Sequence, residues 1–137
     1  QLFGLPATLY KAVAWTESRC KTGARSPVGA MGVMQIMPGT FTFLQPYTDA
    51  NDPWAPLDSI VTGAFYMTQL VHRYGGRNSA SAWIHAAVAY NGGPGAVPSP
   101  PSPLGDDWDK FSPSSTHYAD RVMSAYLCLG GPLPTAL

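Results

Sequence analysis

The sequence predicts a mainly α domain, and three observations carry that reading. Apolar residues recur at helical spacing in four separate stretches, each stretch is closed by Gly or Pro, and no alternating apolar and polar run of useful length occurs. At 137 residues the chain suffices for one compact domain with a real core and is too short for two ordinary ones, so residues 1–137 read as one unit. No internal repeat is visible.

The first helix starts around Gly4-Leu5-Pro6-Ala7-Thr8, where Pro6 fits the first turn because its missing N–H would have no partner there. Leu5, Leu9, Val13 and Glu17 follow at steps of four, with Ala12 and Thr16 beside them. Glu17 therefore continues an apolar stripe and faces inward or into a cleft. Burial favours the neutral acid, and the helix C-terminus adds partial negative charge, so both push its pKa up. An ion pair with Arg19, Lys21 or Arg25 is the structural alternative to a functional acid.

Gly23 to Gly32 is rich in Gly, Ser and Pro and loops back across the end of that helix. Val33 to Met37 is apolar except for Gln35, whose amide needs partners at both ends, from a sugar or from backbone. Pro38 starts a second, short helix reaching Leu44, and Pro46 to Pro56, with Asp49, Asn51 and Asp52, reads as irregular connection. Asp58 or Ser59 caps a third helix, with Ile60, Ala64, Met67, Val71 and Tyr74 on one face until Gly75-Gly76. Ser79 caps a fourth, with Trp83, Ala86, Ala87 and Tyr90 inward, ended by Asn91-Gly92-Gly93-Pro94-Gly95. From Pro94 to Pro103 five of ten residues are proline, which predicts a surface loop. Ser114 or Ser115 caps the last helix, in which Tyr118, Val122 and Tyr126 form a stripe beside Ala119, Met123 and Leu127, until Gly130-Gly131-Pro132.

Composition narrows the partners. Eight Lys and Arg balance eight Asp and Glu, so no basic field gathers phosphates and nucleic acid is excluded as a partner. Four Trp and seven Tyr suit an uncharged polymer such as a glycan, whose sugar faces stack on rings, although rings also fill cores. Trp54 and Trp108, in loops, are the better groove candidates, and Trp83 reads as core. No run of about eighteen apolar residues occurs, so nothing in the sequence reads as a membrane span. The N-terminus lacks the basic and apolar regions of a retained signal peptide. Cys20 and Cys128, near opposite ends, lack zinc or thioredoxin spacing, which leaves a disulfide or two unpaired buried thiols. His72, His85 and His117 show no paired ligand spacing and there is no Gly-x-Ser-x-Gly elbow, so they read as surface or hydrogen-bonded structural residues and no metal is implied.

Three separated motifs then add up. Glu17-Ser18 ends a helix; Ser26-Pro27-Val28-Gly29-Ala30 leads to Gly32-Val33-Met34-Gln35-Ile36-Met37-Pro38; and Ala89-Tyr90-Asn91-Gly92-Gly93-Pro94-Gly95 follows, with a late Tyr118. In this order they resemble the catalytic domain of the soluble type of lytic transglycosylase, within the goose-type-lysozyme-like superfamily. That resemblance implies a lysozyme-like fold around a glycan-binding cleft, with peptidoglycan strands as partner and no cofactor. It implies Glu17 as catalytic acid and then base, Ser26 near the reacting sugar, and Gln35 and Met37 lining the groove. Tyr90 and Asn91 would flank the glutamate, and Tyr118 would be a further cleft tyrosine. The implied product is a 1,6-anhydromuramic acid end, made without water. Ser114 and Ser59 depart from the family pattern, where a glutamate and an asparagine are frequent. The same fold also hosts hydrolysis, for which Asp49, Asp52 and Asp58 are the middle acids available, and a non-catalytic glycan-binding module is the third reading. The implied setting is the cell envelope, periplasmic or extracellular, or a virion, within a secretion, conjugation or phage assembly.

Overall fold

The computed structural model describes residues 3–98, 108–132 and 134–135. Among these, five α-helices follow in order: α1 (Ala7–Ser18), α2 (Pro38–Thr48), α3 (Pro56–Arg73), α4 (Ala80–Gly92) and α5 (Pro113–Cys128). Single 3-10 turns occupy Pro94–Ala96 and Trp108–Lys110. Extended pairing among the described residues is limited to two isolated bridges, Arg25 with Met31 and Met31 with Ile36. The mainly α expectation holds, and the lysozyme-like likeness is taken up below with the site.

α4 lies at the centre. Its expected inward side was Trp83, Ala86, Ala87 and Tyr90, yet His85, Val88 and Ala89 are buried as well. A helix apolar on all sides has no solvent face, and the alanines let α3 and α5 approach it closely. α1 packs on α5 and α3, and α2 packs on α3. Leu5, Leu9 and Val13 carry the first stripe into the core, each 1% exposed or less. The Tyr10 hydroxyl donates to Thr68 Oγ1 at 2.7 Å, because Thr68 gives its own proton to the Ala64 carbonyl.

Several boundaries differ from the sequence reading. α2 continues past Leu44 to Thr48 with Pro46 inside it, since a proline near the end of a helix forfeits only one late hydrogen bond. α3 starts at Pro56 without a side-chain cap; Asp58 instead accepts the Asn51 and Asp52 N–H groups, and Ser59 faces the core. Ile60, expected on the buried face, is 36% exposed, because it lies at the edge of a face centred on Ser59, Gly63, Met67 and Leu70. Ser79 caps α4 as expected, accepting from Ala82 N–H. α5 is capped by Ser112, which accepts from Ser115 N–H, so the helix starts before either expected serine. Of the proline-rich stretch, residues 99–103 lie outside the described residues.

The segment from Ala24 to Pro38 is a tight hairpin pinned to three helices. Met31 and Ile36 exchange both backbone bonds at 3.0 Å, and Gly32 N–H reaches the Ala24 carbonyl at 2.9 Å. Ser18 of α1 donates to the Val33 carbonyl at 2.7 Å, Ser59 of α3 accepts from Met34 N–H at 3.1 Å, and Tyr90 of α4 donates to the Met34 carbonyl at 2.8 Å. Gly63 leaves the room that the Met34 side chain fills, for a Cβ there would stand 2.7 Å from it. Ser59→Ala is therefore expected to strand a buried N–H and lower stability by about 1 to 3 kcal/mol, measured by urea unfolding.

Candidate active site

Glu17 sits in the last turn of α1, where the periodicity places it, and it is largely buried. The Tyr118 hydroxyl of α5 donates to Glu17 Oε1 at 2.7 Å. Burial pushes the Glu17 carboxyl up from an ordinary 4.5 to about 7, while the Tyr118 hydrogen bond and the Arg121 charge pull it down against that. Two of the three cations considered as partners are engaged elsewhere: Arg19 stacks on Trp15 at 4.8 Å and Arg25 on Trp54 at 5.8 Å. Tyr118 and Tyr90 remain neutral phenols, both raised first by burial and then by the Glu17 charge.

Tyr90 and Tyr118 divide their work. Tyr90 spends its hydroxyl on the Met34 carbonyl, which fixes the hairpin, and Tyr118 is the tyrosine that meets the carboxylate. A groove of about 320 Å³ opens beside them. Gln35, Met37, Tyr90 and Asn91 line it, together with Thr40 and Tyr66. Glu17, Ser26 and Tyr118 are not on this lining. The Ser26 hydroxyl accepts from Ala30 N–H at 2.9 Å, which closes the turn before the hairpin. Gln35 holds a left-handed backbone (φ 50) and donates through Nε2 to the Ala24 and Gly32 carbonyls, both at 2.9 Å. Two hydrogen bonds thus support a conformation that a non-glycine residue adopts at a cost of about 1 to 2 kcal/mol.

A second groove of about 690 Å³ continues from the first through Thr40 and Tyr66, which line both. Phe43, Tyr47 and Phe65 give it an aromatic wall, and Tyr47 stacks on Phe65 with centroids 5.9 Å apart. Sequence reasoning missed Tyr66, whose ring also lies 5.3 Å from that of Tyr90; its one signal is a tyrosine beside Met67 at the edge of the α3 stripe. Neither Trp54 nor Trp108 lines these two grooves. Trp54 packs on the core under Arg25 and Trp108 meets Phe111 edge-on, whereas the groove rings are tyrosines and phenylalanines. Trp83 is core, with its indole N–H on the Arg77 carbonyl at 2.9 Å.

The middle acids have structural partners. Asp58 is held below the usual carboxylate range by two backbone N–H bonds, Asp52 accepts from Trp54 N–H, and Asp49 forms the left-handed C-cap of α2. His85 is buried, with Nδ1 on the Ser81 carbonyl at 2.7 Å, and His72 and His117 are exposed. Among the described residues no three or more His, Cys, Asp or Glu gather as a metal-binding group, and no helix is long and apolar enough to cross a membrane.

Comparison with known proteins agrees with this geometry. Residues 1–101 match the family described as "Transglycosylase SLT domain". The soluble lytic murein transglycosylase of Escherichia coli K12 is 33% identical over 99 residues, which is 68% of this chain and 15% of that protein. The transglycosylase of Enterobacteria phage PRD1 is 37% identical over 91 residues, 66% of this chain and 31% of that protein. Among solved structures, an inactive variant of the lytic transglycosylase Slt from Pseudomonas aeruginosa superimposes with a TM-score of 0.78 at 26% identity, covering 98% of this chain and 24% of that one. A 70 kDa soluble lytic transglycosylase bound to bulgecin A gives a TM-score of 0.73 at 25% identity, over 98% of this chain and 24% of that one. The chain thus spans a fraction of the length of these relatives, and the likeness carries the lysozyme-like fold. With the matched stretch covering most of its length and the hairpin, Glu17 and the Tyr90 motif all inside it, the chain belongs to the transglycosylase SLT domain family.

Proposed function

We propose that residues 1–137 form a peptidoglycan lytic transglycosylase domain that cleaves the MurNAc-β-1,4-GlcNAc bond without water, Glu17 acting first as acid and then as base. The observation that carries this is a carboxyl group raised to about 7 beside a glycan-sized groove whose described lining holds no carboxylate. Tyr118 occupies Oε1, which leaves Oε2 to deliver the proton to the glycosidic oxygen. Once ionised, Glu17 is favoured by the Tyr118 hydrogen bond and the Arg121 charge, and it takes the proton of the muramic C6 hydroxyl as that oxygen closes on C1. The substrate's own N-acetyl group stabilises the oxocarbenium-like centre, the part a second carboxylate plays in ordinary glycosidases. Gln35, Met37, Tyr90 and Asn91 line the path of the strand, and Ser26 acts by fixing the turn beside it.

The setting that fits is the cell envelope, periplasmic or extracellular, or a virion, with peptidoglycan strands as partner; relatives in enterobacteria and in a phage support both. Mass analysis of digested peptidoglycan tests the reaction. Anhydromuramic ends, one water lighter than reducing ends, are expected; reducing ends alone would sink the proposal in favour of hydrolysis.

A further inference from the structure

The groove of about 690 Å³ has its own chemistry. Phe65, Gln69 and Arg73 follow at steps of four on α3, so one edge of that helix brings a ring, an amide and a guanidinium to the groove. α2 adds Phe43 and Tyr47, 71% and 64% exposed, with ring centroids 6.3 Å apart. Exposed rings gathered along a groove mark a binding surface. Arg73 is exposed, and its guanidinium lies 5.8 Å from the Tyr74 ring centroid, a stacking that leaves the N–H edges of the fork available to a carboxylate. The described lining of the groove offers it none. The other large groove, of about 520 Å³, has no such guanidinium. It is lined by Cys20 and Cys128, both free and exposed, neither paired nor buried as the sequence reading had allowed.

We propose that this groove holds the peptide arm of the peptidoglycan strand and that Arg73 reads a carboxylate of that arm; the inference rests on the action on peptidoglycan proposed above. The sugars of a peptide-bearing strand are uncharged, and its negative charge lies in the peptides. A cation that meets no carboxylate in its own groove therefore selects the arm over the sugars. Tyr47 and Phe65 lie 10° from parallel, each spending a ring face on the other, which leaves less flat surface for a sugar and suits the methyl and methylene groups of a short peptide. The lengths agree as well. Tyr66 lines both this groove and the one beside Tyr90, and the helix from 66 to 73 rises about 10 Å. An extended peptide covers that span in about three residues. The sugar that bears the arm stays beside Tyr90 while the end of the arm reaches Arg73.

Binding is measured in the Glu17→Gln background, so that affinity is read without cleavage. Three probes are compared: a peptidoglycan tetrasaccharide carrying its peptides, the same fragment with its peptide carboxylates amidated, and uncharged chitotetraose. The carboxylate form is expected to bind about 5- to 10-fold tighter than the amidated one. Adding Arg73→Gln should erase that preference and leave chitotetraose unaffected, whereas Arg77→Gln, in a different hollow, should keep it. Equal affinity for the carboxylate and amidated forms would overturn the inference, as would an Arg73→Gln loss shared by chitotetraose, which would make the groove a sugar site. Hydrolytic ends in the product analysis would instead overturn the ring-closing reaction alone, and failure of all three probes to bind would end both.

Discussion

Glu17→Gln is expected to lower cleavage of peptidoglycan by about 10³-fold or more, because in the proposed reaction one residue supplies both proton transfers. The amide keeps the volume and can still accept the Tyr118 hydroxyl, so the fold should survive and glycan binding should remain. The same change is expected to raise stability. A carboxyl that titrates near 7 when folded and near 4.5 when unfolded binds more protons in the folded state between those values. Stability of the wild type therefore falls as pH rises through that window, by about 3 kcal/mol in total, and the loss is complete above it. The Glu17→Gln variant has no such slope. Urea unfolding at pH 4 and pH 8 should show the two proteins alike at the lower pH and the variant more stable at the higher. Wild-type activity should decline on the alkaline side of about 7, as the acid form is lost. Unchanged wall clearing by the variant would remove Glu17 from the mechanism.

Gly32→Ala is expected to be the most damaging small substitution in the hairpin. Gly32 has a left-handed backbone (φ 75), and a Cβ there would stand 2.5 Å from the Pro53 carbonyl oxygen and 3.1 Å from Ser59 Oγ. Backbone strain and overpacking together predict a loss of about 2 to 5 kcal/mol. Ser59 is the group that satisfies Met34 N–H, and the Gly32 carbonyl receives Gln35 Nε2, so the displacement should also lower glycan binding. Gly23→Ala is the control. No atom lies within 4 Å of its added Cβ, and a change within about 0.5 kcal/mol is expected. Equal midpoints in urea for Gly32→Ala and Gly23→Ala would refute the account.

How much was legible depended on whether one element sufficed to decide a residue's place. Glu17 was readable because a stripe at steps of four fixes its face without knowledge of what lies opposite. Ser79 was read correctly as the cap of α4, although Asn78 and Ser81 beside it are rival caps. Ser112 was not, since Ser112, Ser114 and Ser115 are equivalent as local caps and only the docking of the helix selects among them. Ser59 was misplaced for a related reason: local rules know it as a cap, and its role as acceptor for Met34 comes from a hairpin 25 positions away. Gln35 was recognised as needing partners, but the choice between sugar and backbone for its Nε2 was settled by the turn geometry. Tyr118 entered as a cleft residue through resemblance alone, because a bond across 101 positions leaves no local trace.

That last separation has a consequence for the order in which the protein is made. A ribosome releases Glu17 early and Tyr118 late, and at about 5 to 20 residues per second the 101 positions between them take roughly 5 to 20 s to synthesise. During that interval α1 has no α5 to pack on, and Glu17 lacks the Tyr118 hydroxyl it meets in the folded chain. The hydrogen bond between Tyr118 and Glu17 therefore belongs to the finished chain and forms only once the last helix has been made and docked.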